Sequence, residues 1–133
     1  MLRYHTDNKR ALVVDDDPLF CFSSAISLKM AGYEVWEASN GKWALDTIKA
    51  ERKGGRDFGL FVIDLLMPVM DGMQLICEIH KIDQADRVLV VSGSIDDEVI
   101  KELKSFGCHH WLAKPFLVGQ LMEAVQQTQG TRV

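Results

Sequence analysis

No stretch of this chain is apolar for anything near the ~20 residues that a membrane-spanning helix needs, so a place across a bilayer is not expected. The N-terminus, MLRYHTDNKR, lacks the apolar segment of a secretory signal and is polar and charged. Basic residues number 15 against 19 acidic ones and gather into no cluster. The resulting formal charge of −4 argues against direct binding to nucleic acid. Cysteine is sparse: Cys21, Cys77 and Cys108 stand far apart with no CxxC spacing. An odd, scattered set suits free thiols in a reducing cytosol, so a cytoplasmic location is expected. There is no internal repeat, low-complexity segment or linker. What remains is an ordinary globular composition, 133 residues with 47% apolar and 26% charged. That length suits one domain with one core, taken as 1–133.

Apolar runs alternate with helical stretches. Ala11–Asp15 reads as a short buried strand, and Asp17 before Pro18 is the signature of an N-cap with proline at the first helical position. That helix is expected to run to about Ala31 and stop at Gly32. Further strands are expected over Tyr33–Glu37, Phe58–Ile63, Arg87–Val91 and His109–Leu112. Further helices are expected over Asn40–Arg52, Met73–Ile82, Asp96–Phe106 and Phe116–Gln127. MPVMDG reads as a loop in which Asp71–Gly72 starts a helix, and Asp96 and Asp97 read as cap residues. Five strands and five helices in strict alternation argue for an α/β fold with a doubly wound parallel sheet.

Ligands bind such sheets beyond the carboxyl ends of the strands. The residues there are Asp15 and Asp16, Asp64, Ser92 and Lys114. Three carboxylates, a hydroxyl and an ammonium therefore converge on one rim. Clustered carboxylates need a cation, and Mg²⁺ suits them because it takes about six oxygen ligands and keeps several waters. Asp64 can bind the ion and still present a free oxygen as a nucleophile, forming an acyl phosphate. Mg²⁺ and Lys114 would neutralise the transferring phosphoryl group, and Ser92 would donate a hydrogen bond to it.

Four segments, VVDDDP, VIDLLMPVMDG, VLVVSGS and LAKPF, occur in this order and spacing. Together they resemble the receiver domain of two-component response regulators, over roughly residues 10–128. The resemblance implies a flavodoxin-like fold with a five-stranded parallel sheet in order 2-1-3-4-5 and five helices. It implies Mg²⁺-dependent phosphoryl transfer to Asp64 from a sensor histidine kinase or a histidine phosphotransfer protein. It implies metal ligation by the side chains of Asp16 and Asp64 and the backbone carbonyl of Leu66, with Asp15 acting largely through a metal-bound water. Ser92 matches the switch hydroxyl, Lys114 the lysine, and Trp111 the switch aromatic, where Tyr or Phe is more usual. A cis Lys114–Pro115 peptide is also implied. The expected role is that of a phosphoacceptor module rather than an enzyme, taking part in its own phosphorylation and slow autodephosphorylation. The partner that reads it is a downstream effector protein or a fused output domain. Because the chain ends at Val133, just past the last helix, no output domain is expected within it.

Plainer readings stand beside these. Asp15–Asp16 can be a solvated turn, Ser92 a strand-end cap, Lys114 a surface charge and Trp111 a packed ring. Cys108–His109–His110 looks like a metal cluster, but strand alternation sends neighbouring side chains to opposite faces. Asp15-Asp16-Asp17 also fits the D-x-D of haloacid-dehalogenase-type phosphohydrolases, although Pro18–Leu19 and the acid-poor C-terminal half fit that family badly. A degenerate receiver that acts only as a binding module is the third reading.

The first helix carries two apolar stripes. Helical periodicity favours Leu19, Phe22, Ile26 and Met30 as core, since that set is the larger. The family register instead turns Phe20, Ser24, Ser27, Leu28 and Ala31 inward. In that register Phe22, Ile26 and Met30 form an exposed surface for a partner or a second copy in a homodimer.

Overall fold

The three segments that are apolar throughout become the centre of the sheet. The computed structural model describes residues 8–67 and 69–130; Pro68 of the MPVMDG loop lies outside the described residues. Strands β1 (Arg10–Val14), β2 (Glu34–Ala38), β3 (Leu60–Asp64), β4 (Val88–Ser92) and β5 (His110–Ala113) are all parallel, in order β2-β1-β3-β4-β5. Helices α1 (Pro18–Met30), α2 (Gly41–Lys53), α3 (Gly72–Lys81), α4 (Asp97–Ser105) and α5 (Val118–Gly130) alternate with them. The expected five strands and five helices are all present. Boundaries move by up to three residues, the most at the end of α5, and a short 3-10 turn over Ala85–Arg87 was not foreseen. No helix among the described residues is long and apolar enough to cross a membrane.

Alternation along the central strands divides the core into two layers. Leu12, Val14, Phe61, Ile63, Val88 and Val90 face α2, α3 and α4. Ala11, Val13, Leu60, Val62, Leu89 and Val91 face α1 and α5. Burying a Leu, Ile or Val side chain contributes about 1.5–3 kcal/mol, and these three strands are buried on both sides. Their carboxyl ends are consequently held by packing on both faces of the sheet.

Helix α1 follows the family register and not the simple periodicity. Leu19, Phe22, Ile26 and Met30 are exposed, Met30 at 84%. Cys21, Ser24, Ala25 and Leu28 are buried instead. Three of those four are small, which lets the helix axis lie close against the strands, whereas the larger stripe would hold it away. Three details of the inward set differ, the first being Ser27, which is only half-buried. Phe20 is only half-buried, and Ala31 is exposed because the helix has already ended there, with Gly32 following at φ 95°. The Lys114–Pro115 peptide is cis.

Candidate functional site

The site is built where β1, β3, β4 and β5 end. Asp15 stands one residue past β1, and its N–H donates to the Ala38 carbonyl at 3.1 Å. Asp17 acts twice. Its carboxylate accepts the Leu19 N–H at 3.0 Å and so caps α1, while its own N–H donates to Asp15 Oδ1 at 2.9 Å. Asp64 is the last residue of β3, and its Oδ1 accepts the Leu66 N–H at 3.2 Å. Leu66 stands at the same rim, 65% exposed. A Cβ on Gly72 would lie 2.3 Å from the Asp64 carbonyl oxygen. Only glycine therefore lets α3 start against the backbone of Asp64, and Asp71 caps that helix in a reciprocal box with Gln74.

Lys114 ties the strand ends together. Its N–H donates to the Ser92 carbonyl at 2.8 Å, which anchors it to β4. Its ammonium donates to Asp15 Oδ2 at 2.8 Å and to Asp64 Oδ2 at 3.2 Å. The ammonium also lies 4.2 Å from the centre of the Phe20 ring, which in turn packs on Phe116 at 5.8 Å. Ser92 is fully buried, and its hydroxyl accepts the Ser94 N–H at 3.2 Å and lies 3.4 Å from the Ser94 carbonyl. Trp111 is half-buried on β5, opposite Val90, and packs against the core layer shared with α4.

The charges do not balance. The side chains of Asp15, Asp64 and Lys114 are 4%, 8% and 14% exposed. One ammonium faces two withdrawn carboxylates, and the exposed Asp16 adds a third. Burial pushes the Asp15 carboxyl above its ordinary range, and the Asp64 charge adds to this against the opposing bonds from Lys114 and the Asp17 N–H. Burial pulls the Lys114 ammonium down, but the two carboxylates outweigh it and hold it above its ordinary value. Carboxylate oxygens of Asp15, Asp16 and Asp64 lie within 4.8 Å of one another, the one such group of potential metal ligands among the described residues. An all-oxygen donor set with excess negative charge fits a hard divalent cation. Cys108 is buried and His109 exposed, so the Cys-His-His run forms no cluster.

Every rim residue expected from the sequence is therefore where the reading put it. Phe20 was missed as a neighbour of Lys114, because no motif announces a ring lying under an ammonium 94 positions away. Cys21 was missed as well. Its thiol donates to Glu37 Oε1 at 3.4 Å, beside Asp15, and no spacing predicts that pair.

The family model for the response regulator receiver domain matches residues 11–126. The chain belongs to this family. It is 29% identical over 120 residues to sporulation initiation phosphotransferase F of Bacillus subtilis, covering 90% of this chain and 93% of that one. It is 31% identical to the chemotaxis protein CheY of Thermotoga maritima, with 90% and 96% covered. Among solved structures it resembles a CheY-like receiver domain protein from Methanospirillum hungatei, with a TM-score of 0.83, 26% identity, and 94% and 96% of the two chains covered. CheY4 of Vibrio cholerae follows with a TM-score of 0.80, 28% identity, and 91% and 98% covered. The flavodoxin-like strand order agrees with these relatives. The chain is thus a phosphoacceptor receiver module of two-component signalling. The phosphohydrolase reading, which rested on Asp15-Asp16-Asp17 alone, gives way to a match over nearly the whole chain.

Proposed function

We propose that Asp64 takes a phosphoryl group from the phosphohistidine of a sensor histidine kinase or a histidine phosphotransfer protein. The observation that carries this reading is the Lys114 ammonium held between Asp15 and Asp64, at 2.8 and 3.2 Å, on the one rim where three carboxylates meet. The side chains of Asp15, Asp16 and Asp64 and the carbonyl of Leu66 would hold Mg²⁺, Asp15 largely through a water. Bound there, the ion would neutralise charge on the phosphoryl oxygens. An Asp64 carboxylate oxygen forms the new O–P bond as the N–P bond to the donor imidazole breaks, and the imidazole leaves. Lys114 already touches Asp64 and meets the charge that arrives on the phosphoryl group. The Ser92 hydroxyl gives up its long contact to the Ser94 carbonyl and donates to a phosphoryl oxygen. Trp111, on the strand next to Ser92, changes its packing in response, and a downstream effector protein or a fused output domain reads the altered face.

In this reading the module is a single cytoplasmic domain. It assists its own phosphorylation and its slow hydrolysis but turns over no external substrate. Labelling by acetyl phosphate, or a beryllofluoride adduct, should form at Asp64 only with Mg²⁺. Asp64→Asn should abolish the label; undiminished label on that variant would overturn the assignment.

A further inference from the structure

Helices α2 and α3 pack against each other on the face of the sheet opposite to α1. Along α2, Leu45, Ile48, Lys49, Arg52 and Lys53 recur at helical spacing and make one stripe. The stripe borders an open groove of about 490 Å³ between the two helices. The floor of the groove is apolar and recessed: Ile48 and Ile79 are buried, Leu45 and Ile82 half-buried. Its rim is cationic, since the three basic residues of the stripe and Lys81 of α3 are all exposed. Glu78 is the one carboxylate that lines it. The chain as a whole has a formal charge of −4, so this excess of cations is local.

The excess is not neutralised within the chain. The two acids in the middle of α2 already meet other cations, Asp46 facing Lys42 and Glu51 facing Arg10 and Arg56. Asp57 takes Arg52 at 2.9 Å, and Glu78 takes Lys81 at 2.9 Å. Lys49 and Lys53 have no ion-pair partner among the described residues. They stand four positions apart on one helix, where like charges cost about 0.2–0.5 kcal/mol. Arg52 and Lys53 complement the α2 dipole in its last turn, but Lys49 lies a turn earlier, beyond that benefit. Two unpaired ammonium groups therefore flank an apolar floor that stays open to solvent.

We propose that this groove receives an acidic amphipathic helix of a partner protein. Charge complementarity selects the sign of the ligand: its carboxylates meet Lys49 and Lys53, and a basic segment is repelled. The recessed floor selects its shape. Apolar side chains must project to reach Ile48 and Ile79, which one face of a helix supplies and a flat bilayer surface or a phosphate backbone does not. An extended peptide gains no backbone hydrogen bonds here, because α2 and α3 satisfy their own and present no sheet edge, whereas a helix arrives with its backbone already paired. A groove about 15 Å long, the length of α3, and about 10 Å wide takes one helix and not a folded domain. Its area lies well below the ~800 Å² per partner of a standard interface, so a transient complex, weaker than about 1 μM, is expected.

Amide-resolved NMR of the full, unphosphorylated chain titrated with a designed peptide tests this. The probe is an acetylated and amidated helix of about 18 residues, with leucine repeating at i, i+4 and i+7 and glutamate on both flanks. Its control carries lysine in place of every glutamate. The acidic peptide should give saturable shifts confined to α2 and α3, and the basic one should bind at least about tenfold more weakly. Lys49→Glu together with Lys53→Glu should weaken the acidic peptide by about tenfold or more and favour the basic one. Lys42→Glu, on α2 but outside the groove, should leave binding unchanged. Ile82→Ser should weaken both peptides. Circular dichroism melts check that each variant folds, and the exposed lysine pair decides the matter where Ile82→Ser does not fold. Absence of shifts in α2 and α3 at millimolar acidic peptide would overturn the proposal, as would shifts centred on α1 and α5. Equal binding of the two peptides, or indifference to the lysine pair, would overturn the charge argument on which it stands. Lysine-dependent binding to phosphatidylserine vesicles by a chain that ignores the acidic peptide would overturn it in favour of a membrane surface.

Discussion

Replacing Lys114 with methionine keeps the length of the side chain and removes its charge. The variant would leave Asp15 and Asp64 facing each other, nearly buried, without the ammonium that now donates to both. Removing one partner from a buried charge cluster typically costs about 3–5 kcal/mol. The Phe20 ring contact adds about 0.5–1 kcal/mol at a partly exposed site. Lys114 retains some contact with water, so the lower end applies, and a loss of about 3 kcal/mol is expected in chelator. For a chain of this size that lowers Tm by about 10 °C. In millimolar Mg²⁺ the ion takes over the neutralisation, and the loss should shrink to about 1 kcal/mol. Urea unfolding followed by circular dichroism, with and without Mg²⁺, reads both numbers. The sign with pH also follows. Because the folded chain holds Lys114 above its ordinary value of 10.5, the stabilisation from pairing is fully present below that value. It is lost as pH rises through the folded pKa. At the acid end the difference between wild type and variant should close early, since burial already raises the pKa of Asp15. A variant as stable as the parent in chelator, or an equal loss with and without Mg²⁺, would refute this account of the site's charge balance.

Other outcomes follow from single positions. Leu66 lies exposed at the rim and cannot orient an attacking water, and Ser94 is too short to hold one firmly, so Leu66→Asn with Ser94→Glu should speed dephosphorylation. Unchanged or slower loss of label from the double variant would count against that reasoning. Val69 has φ 71° although it is β-branched, and it is 78% exposed. Val69→Asn, which tolerates that conformation and gives up little packing, should raise stability by about 1 kcal/mol, and an unmoved denaturation midpoint would show that the position stores no strain. Burial, together with the Glu37 carboxylate, pushes the Cys21 thiol up to about 12, and burial pushes Cys108 to about 11. Both stay protonated in mildly alkaline buffer, so iodoacetamide should label native protein at the half-buried Cys77 first. Equal labelling of all three by peptide mapping would contradict this.

The rim was legible because each of its residues follows a strand that announces itself. Runs such as FVI and VLVV are apolar on both faces, and only a covered parallel sheet accommodates them. The residue after each run is then fixed in space by the ladder, which is why Asp15, Asp64, Ser92 and Lys114 could be placed together. What sequence distance hides is packing between elements. Phe58 was read as the start of β3, yet pairing with β1 begins at Leu60, and the Phe58 ring sits against Trp36 and Phe61 instead. The Ala85–Arg87 turn is too short to carry any period.

Helix α1 shows the limit most sharply. Hydrophobic periodicity measures how much apolar area a stripe holds, but a sheet selects the stripe that lets the helix axis come close. Cys21, Ser24 and Ala25 hold less apolar area than Leu19, Phe22, Ile26 and Met30, and they win because their size permits contact. A helix that needs only its small stripe to fold has its large one left over. Nothing in the stability of one chain requires Phe22 or Met30 to be apolar, since both already stand in water. Their apolar character therefore has to be accounted for outside the single chain, and the near absence of charge on the adjoining α5 points to the same place.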